Sequence, residues 1–202
     1  MLSLRHYDAV KAGTLKEPPW MKRFHVHWPE SSVRCWHIER FNVELNIEAL
    51  LCYREGRGMF PGNYTRLVHD IRGVVMSDTT AEIWDMKPFY AYAKGRILIH
   101  GLGLGCMVKA LLSKQSVTHI DVVEVNKDII DLVGKHFKDP RVTIYWGDAF
   151  TYKWPTQTKW DCVWHDIWDT INSDYKPQIT TLKRKFGGRC RLQMSWLDEL
   201  IG

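Results

Sequence analysis

The rhythm of hydrophobic and polar positions changes near Lys94-Gly95. Before it, short stretches alternate large apolar with polar residues, the period-two pattern of half-buried strands. This predicts strands over 23–28 and 33–41, and a hairpin whose arms, 64–69 and 73–77, flank Asp70-Ile71-Arg72-Gly73. Residues 43–53 have helical spacing, with Val43, Ile47, Leu50 and Leu51 on one side, and Gly56, Gly58, Pro61 and Gly62 mark a loop. A helix over 81–93 leads into the second half, with Pro88 expected to kink or interrupt it. After Gly95, strands over 96–100, 118–125, 141–146, 160–165 and 189–196 alternate with helices over 106–114, 128–137 and 175–186. The predicted class is α/β: a Rossmann-like, doubly wound, mainly parallel sheet over 96–202, preceded by a small N-terminal β-rich region over 1–95. Such sheets take ligands at the carboxyl ends of their strands, near the point where strand order reverses.

Composition narrows the class without naming a partner. The 202 residues are 45% hydrophobic and 25% charged, which describes a folded globule and not a disordered chain. No apolar run approaches the roughly 18 residues of a membrane span, and Arg5, Asp8, Lys11 and Lys16 break any signal-peptide core in the first twenty. Five cysteines without a Cys-x-x-Cys pair argue against a disulfide framework and a zinc site, and make the reducing cytoplasm the expected compartment. His25 and His27 would share one face of the predicted first strand, but no third ligand is spaced near them, so no metal site is expected. The net charge of +5 divides into +2 over residues 1–95, −1 over 96–175 and +4 over 176–202. The excess therefore lies late, at Lys176, Lys183, Arg184, Lys185, Arg189 and Arg191, and reads as a solvated helix face.

Candidate chemistry gathers in successive strand-to-helix turns. The first is Gly101-Leu102-Gly103-Leu104-Gly105-Cys106, where glycines permit positive φ and close approach of a ligand to a helix N-terminus. The last place of a dinucleotide fingerprint is taken by Cys106, whereas the Gly-x-Gly-x-Gly form of adenosylmethionine-binding folds is met in full; a tight turn with no ligand is the plain alternative. Glu124, followed by Val125, ends the second strand, where an acid can accept from both ribose hydroxyls of an adenosine. After the third strand, Asp148 can accept from an adenine amine while Ala149 and Phe150 offer a backbone amide and an apolar wall. The fourth strand ends in His165-Asp166-Ile167-Trp168-Asp169, which places Asp166 beside the reacting end of a bound nucleoside, able to orient an amine or take its proton. His165 is counted with the cofactor set, Trp168 and Asp169 with the substrate; capping of the next helix is the bland role for Asp166.

These residues resemble the class I S-adenosylmethionine-dependent methyltransferases, and within them the spermidine synthase-like branch, from about Tyr64 to Trp196. Ile99 matches the aliphatic residue that polyamine synthases carry two before the first glycine. Val122-Val123-Glu124-Val125-Asn126 is similar to the family's Val-Glu-Ile-Asp, and 139–149 to its approach to the adenine loop. Asp166 matches the catalytic aspartate of aminopropyl transfer and Asp169 a second substrate-binding aspartate. The departures are Leu104 where those enzymes have Asp, Thr170 where they have Pro, and five strands, in order 3-2-1-4-5, where the class usually has seven. The edge of the fifth strand would need cover from the N-terminal half or from a second copy in a homodimer.

The resemblance implies S-adenosyl-L-methionine as cofactor, methyl transfer as the activity and a small molecule as the acceptor. Aminopropyl transfer to a polyamine is the alternative within the fold; its acidic cleft would draw on Asp166, Asp169 and the candidates Asp78, Glu82 and Asp85. A non-catalytic nucleoside- or nucleic-acid-binding module is the third reading, with Trp146, Trp154, Trp160, Trp164 and Trp168 as stacking candidates among ten tryptophans. The tetrapeptide common in amino-methyltransferases is absent after the fourth strand, which disfavours standard base-amine methylation.

Overall fold

The computed structural model describes residues 16–44 and 59–198, and singly residues 8 and 12. Strands β1 (Ser31–Val33), β2 (Trp36–Val43), β3 (Gly62–His69) and β4 (Gly73–Ser77) form an antiparallel sheet in chain order. Helix α1 (Thr80–Tyr92) leads to β5 (Gly95–His100), followed by α2 (Cys106–Leu112), β6 (Val117–Glu124), α3 (Lys127–Val133), β7 (Val142–Trp146), β8 (Cys162–His165), α4 (Lys176–Phe186) and β9 (Leu192–Ser195). These five strands form a parallel sheet in the order β7-β6-β5-β8-β9, the predicted 3-2-1-4-5. Strand order reverses at β5, which opens a crevice beyond His100. Among the described residues no strand pairs with the outer edge of β9, and no helix is long and apolar enough to cross a membrane.

Alternation along β5 distributes the core. Ile97 and Ile99 enter one buried cluster with Cys106, Ala110 and Leu111 of α2; Leu98 enters the other with Val123, Val163, Leu182 and Phe186. A strand covered on both faces must be apolar throughout, which is why Ile97-Leu98-Ile99 is a continuous run. The first cluster also takes Trp36, Ile38 and Leu67 from the antiparallel sheet, so the two sheets share one core.

Several predicted elements are corrected. Residues 23–28 are not a strand: Met21–Arg23 is one 3-10 turn, and the backbone beyond it is unpaired with other strands. Phe24, His25 and Val26 are buried in succession, so the apolar-polar alternation of the sequence is not an alternation of faces, and with no strand here His25 and His27 share no sheet face. The strand predicted over 33–41 is two strands joined at Arg34-Cys35, with Val33 opposite Trp36 and Arg34 at φ 51°. Pro88 does not interrupt α1, which is continuous. The hydrogen bond it forfeits would end at Trp84, an exposed residue, while burial of Ile83, Met86, Phe89 and Tyr90 holds the helix on the core. The helical pattern over 43–53 falls mostly outside the described residues.

Asp78, fully buried between β4 and α1, fastens the N-terminal segment. Its carboxylate accepts the backbone N–H of Thr65 at 2.6 Å and of Val26 at 2.9 Å. His25 bonds Glu17 at 2.8 Å and faces Asp78 at 3.7 Å, and Lys109 of α2 donates to the His25 carbonyl. Burial opposes charge on this imidazole, but the carboxylates of Asp78 and Glu17 outweigh it and raise its pKa to about 9. The stability this gives is full below the ordinary histidine range and is lost as pH rises through about 9. His25→Ala should therefore cost about 3 kcal/mol at pH 7, because it strands buried carboxylates. In denaturant titrations the deficit should shrink at pH 10; an equal deficit at both values would contradict a charged His25.

Candidate active site

Four turns start level with one another because three backbone hydrogen bonds continue past the strand ends. Gly101 N–H donates to Val123 O (2.9 Å), Gly147 N–H to Glu124 O (3.0 Å) and Asp166 N–H to His100 O (2.9 Å). At Gly101 (φ 91°) a Cβ would lie 1.9 Å from the Asp166 carbonyl oxygen, so only glycine lets the first and fourth turns come together. The Cβ position of Gly103 is filled by the Met76 sulfur at 2.5 Å. Here the glycines admit protein atoms, where the sequence suggested a ligand.

The turns enclose a cleft of about 330 Å³, the size of a small-molecule site. Gly101, Leu102, Gly103, Glu124 and Val125 line it from the first two turns, and Asp148, Ala149 and Phe150 from the third. Asp166, Trp168 and Asp169 line the fourth side. Two expected residues do not reach it. Gly105 (φ 77°) caps α2, its absent side chain making room for the Phe137 ring. His165 is fully buried beneath the strand ends, its Nδ1 2.9 Å from Nδ1 of His100 and its Nε2 3.3 Å from Gln193 Oε1. Strand alternation points both imidazoles toward Phe186, away from the crevice. Burial lowers the His165 pKa to about 4, and His100 is pushed down by burial, His165 and Lys185.

Glu124 is nearly inaccessible and accepts Leu102 N–H (2.8 Å) on one oxygen and Asn126 N–H (2.7 Å) on the other. Burial raises its pKa, against the pull of these amides. The backbone amides of Val125 and Gly103 also favour its charged form, so vicinal hydroxyls of a ligand would share the carboxylate with the turn. Exposed Asp148 accepts Phe150 N–H at 2.6 Å, which shapes its own turn. Lys185 of α4 holds that turn from behind, donating to the carbonyls of Ala149 (3.0 Å), Phe150 (2.7 Å) and Tyr152 (3.1 Å). This corrects the reading of the late basic residues as a solvated face: Lys185 is internal to the site's scaffold. Asp166 is pushed up to about 7 by burial, opposed by a 3.2 Å bond from the Trp164 indole and reinforced by the charges of Glu82, Asp85 and Glu124.

The opposite wall comes from the antiparallel sheet and α1, through Trp36, Arg72, Met76, Glu82 and Met86, with Trp196 beyond β9. Sequence reasoning missed this wall except for Glu82, since it is assembled by tertiary packing and carries no motif. Asp85 stands 3.4 Å from the Trp196 indole nitrogen, whereas Asp78 serves the N-terminal segment and is not in the cleft. Of the five stacking candidates only Trp146 is exposed; Trp154 packs with Tyr145, Tyr152 and Trp160, and Trp160, Trp164 and Trp168 are buried.

A five-stranded parallel sheet in this order, with an acid after its second strand and another beside the glycine turn, is the Rossmann-like architecture, similar to class I S-adenosylmethionine-dependent methyltransferases and spermidine synthases. The chain is 30% identical over 110 residues to a polyamine aminopropyltransferase of Agathobacter rectalis, covering 48% of this chain and 39% of that protein. It is 29% identical over 82 residues to the polyamine aminopropyltransferase of Alkaliphilus metalliredigens, covering 37% and 29%. The similarity thus spans well under half the length of either relative. No family model matches the chain. Solved structures that it is similar to include spermidine synthase from Thermotoga maritima (TM-score 0.36, 20% identity, 50% of this chain and 42% of that one). Another is a Pyrococcus horikoshii protein described as an RNA methyltransferase (0.42, 20%, 57% and 55%).

Gly101→Ala should be far more damaging than Gly103→Ala. The first drives a Cβ into a backbone carbonyl at positive φ and should cost more than about 2 kcal/mol. The second meets the end of a flexible methionine side chain, which can move. Equal melting temperatures for the two variants would contradict the close approach at Gly101.

Proposed function

We propose that this chain binds S-adenosyl-L-methionine and catalyses transfer of its methyl group to the amine of a small molecule. The observation that carries the reading is a carboxyl group, Asp166, raised to about 7 and facing the same cleft as the Glu124 and Asp148 turns. The residues fit a nucleoside. Glu124 would accept from the ribose hydroxyls, Asp148 from the adenine amine, and Ala149 and Phe150 would wall the base. The cofactor would supply a sulfonium-activated methyl group, which leaves the protein to align the acceptor and exclude water.

Asp166 would orient the acceptor amine and take its proton. A base with a pKa near neutrality is half ionised at working pH and still able to accept. Buried Met86 and the partly buried Trp196 supply apolar surface to the same cleft, beside the acids Glu82 and Asp169.

Aminopropyl transfer to a polyamine is the second reading. Glu82 joins Asp166 and Asp169 at one cleft, an acidic lining suited to a cationic acceptor, and the curated relatives bear that activity in their names. Product analysis with decarboxylated donor and putrescine, beside the methyl donor and an amine panel, separates the two.

Calorimetric titration with S-adenosyl-L-methionine and with its demethylated product should give micromolar affinity. Glu124→Ala should weaken it about 100-fold, as expected for two lost hydrogen bonds to a charged acceptor. No binding by the parent chain, or an unaffected variant, would reject the cofactor assignment.

Turnover should rise tenfold per pH unit up to about 7 and then level off, and Asp166→Asn should lose about 10²- to 10⁴-fold. The sign for stability is opposite. A carboxyl raised in the folded state favours folding while protonated, and that contribution is lost as pH rises from the ordinary aspartate range through about 7. Asp166→Asn should therefore melt higher than the parent at pH 8 and alike at pH 4; a lower melting temperature at pH 8 would contradict the raised carboxyl.

A further inference from the structure

Arg72 is the one cationic side chain among the described residues lining the cleft, where Glu82, Glu124, Asp148, Asp166 and Asp169 supply the acids. It stands in the short loop joining β3 to β4 and is fixed from two sides. Its guanidinium carbon lies 4.7 Å from the centre of the Trp36 ring, and one terminal nitrogen donates to Asp169 Oδ2 at 3.1 Å. The Asp169 contact uses a single N–H of a group that has five, and the side chain remains about half exposed. A guanidinium held over an indole, with N–H groups to spare, is a two-point donor site for a carboxylate.

The position has a second consequence. Asp169 is a carboxylate of the cleft lining that could hold the far ammonium of a diamine, and it is already paired with Arg72. A cation placed there also repels a ligand that is positive at both ends.

We propose that Arg72 makes the acceptor end of the cleft selective for an amine that carries a carboxylate, its ammonium end facing Asp166 and Glu82 and its carboxylate taken by the guanidinium. The inference rests on the reading of the cleft as an amine-alkylating site and specifies its substrate class: a zwitterionic amino acid-like molecule in place of a polyamine.

The test is a matched pair of probes, 5-aminopentanoate and putrescine, which share a four-methylene spacer and one amine and differ in the far group. Each is titrated by calorimetry against the whole chain without any adenosyl compound, so the outcome does not depend on the donor. Failure of donor binding in the separate titration above, with selectivity intact here, would reject the alkylation chemistry and leave this acceptor site standing. The parent chain should prefer 5-aminopentanoate by about tenfold or more, as for a lost charged hydrogen-bond partner. Arg72→Gln, a change at a half-exposed position, should abolish or invert that preference by freeing Asp169 for putrescine. Arg72→Lys should retain only part of it, since an ammonium lacks the planar fork. Equal or better binding of putrescine by the parent, no binding of either probe, or an unchanged preference in Arg72→Gln would each overturn the proposal.

Discussion

The site depends on the missing side chain at residue 101. With any Cβ there, the carbonyl of Asp166 would have to retreat, the bond from Asp166 N–H to His100 O would be lost, and the turns after β5 and β8 would part. That one close approach brings the glycine turn, with Glu124 folded onto its amides, against the acid that ends β8. The rest of the parallel sheet serves the same contact. β5 is central and covered on both faces, and it delivers Gly101 at the place where strand order reverses.

Three polar side chains tie irregular segments together by holding several backbone groups each. Glu124 ties the first two turns, Lys185 takes three carbonyls behind the third, and Asp78 collects two amides from segments far apart in sequence. Each satisfies backbone groups that irregular chain would otherwise bury unpaired. The His100–His165 pair is a contrasting case. Two imidazoles share one hydrogen bond in an apolar setting that keeps both neutral, and His100 Nε2 has no partner among the described residues.

Much of the parallel half was legible because its signals are local. Continuous apolar strands, helices of helical period and glycine-bearing turns gave five strands in the right order, and the spacing of Glu124, Asp148 and Asp166 put all three at one edge. The same locality explains the failures. The polar-apolar order of 23–28 resembles a strand, yet Phe24, His25 and Val26 are all buried, because His25 finds Glu17 and Asp78 inside and Val26 N–H bonds Asp78 in place of a neighbouring strand. Gly105 and His165 belong to functional-looking motifs, yet one faces Phe137 and the other Phe186. Trp36, Arg72 and Met76 reach the cleft through packing of one sheet against another, which no spacing within a single segment encodes.

The loop that carries Arg72 is bounded by strands whose register is set elsewhere, by Trp36 opposite His69 and by the pairing of Arg66 with Ser77. Residues Asp70–Arg72 stand outside those pairings, at the tip of the hairpin. Such an arrangement separates two demands on the chain: the junction at Gly101 has no room for an added atom, while a three-residue hairpin tip supplies a side chain to the cleft without setting the register of either strand.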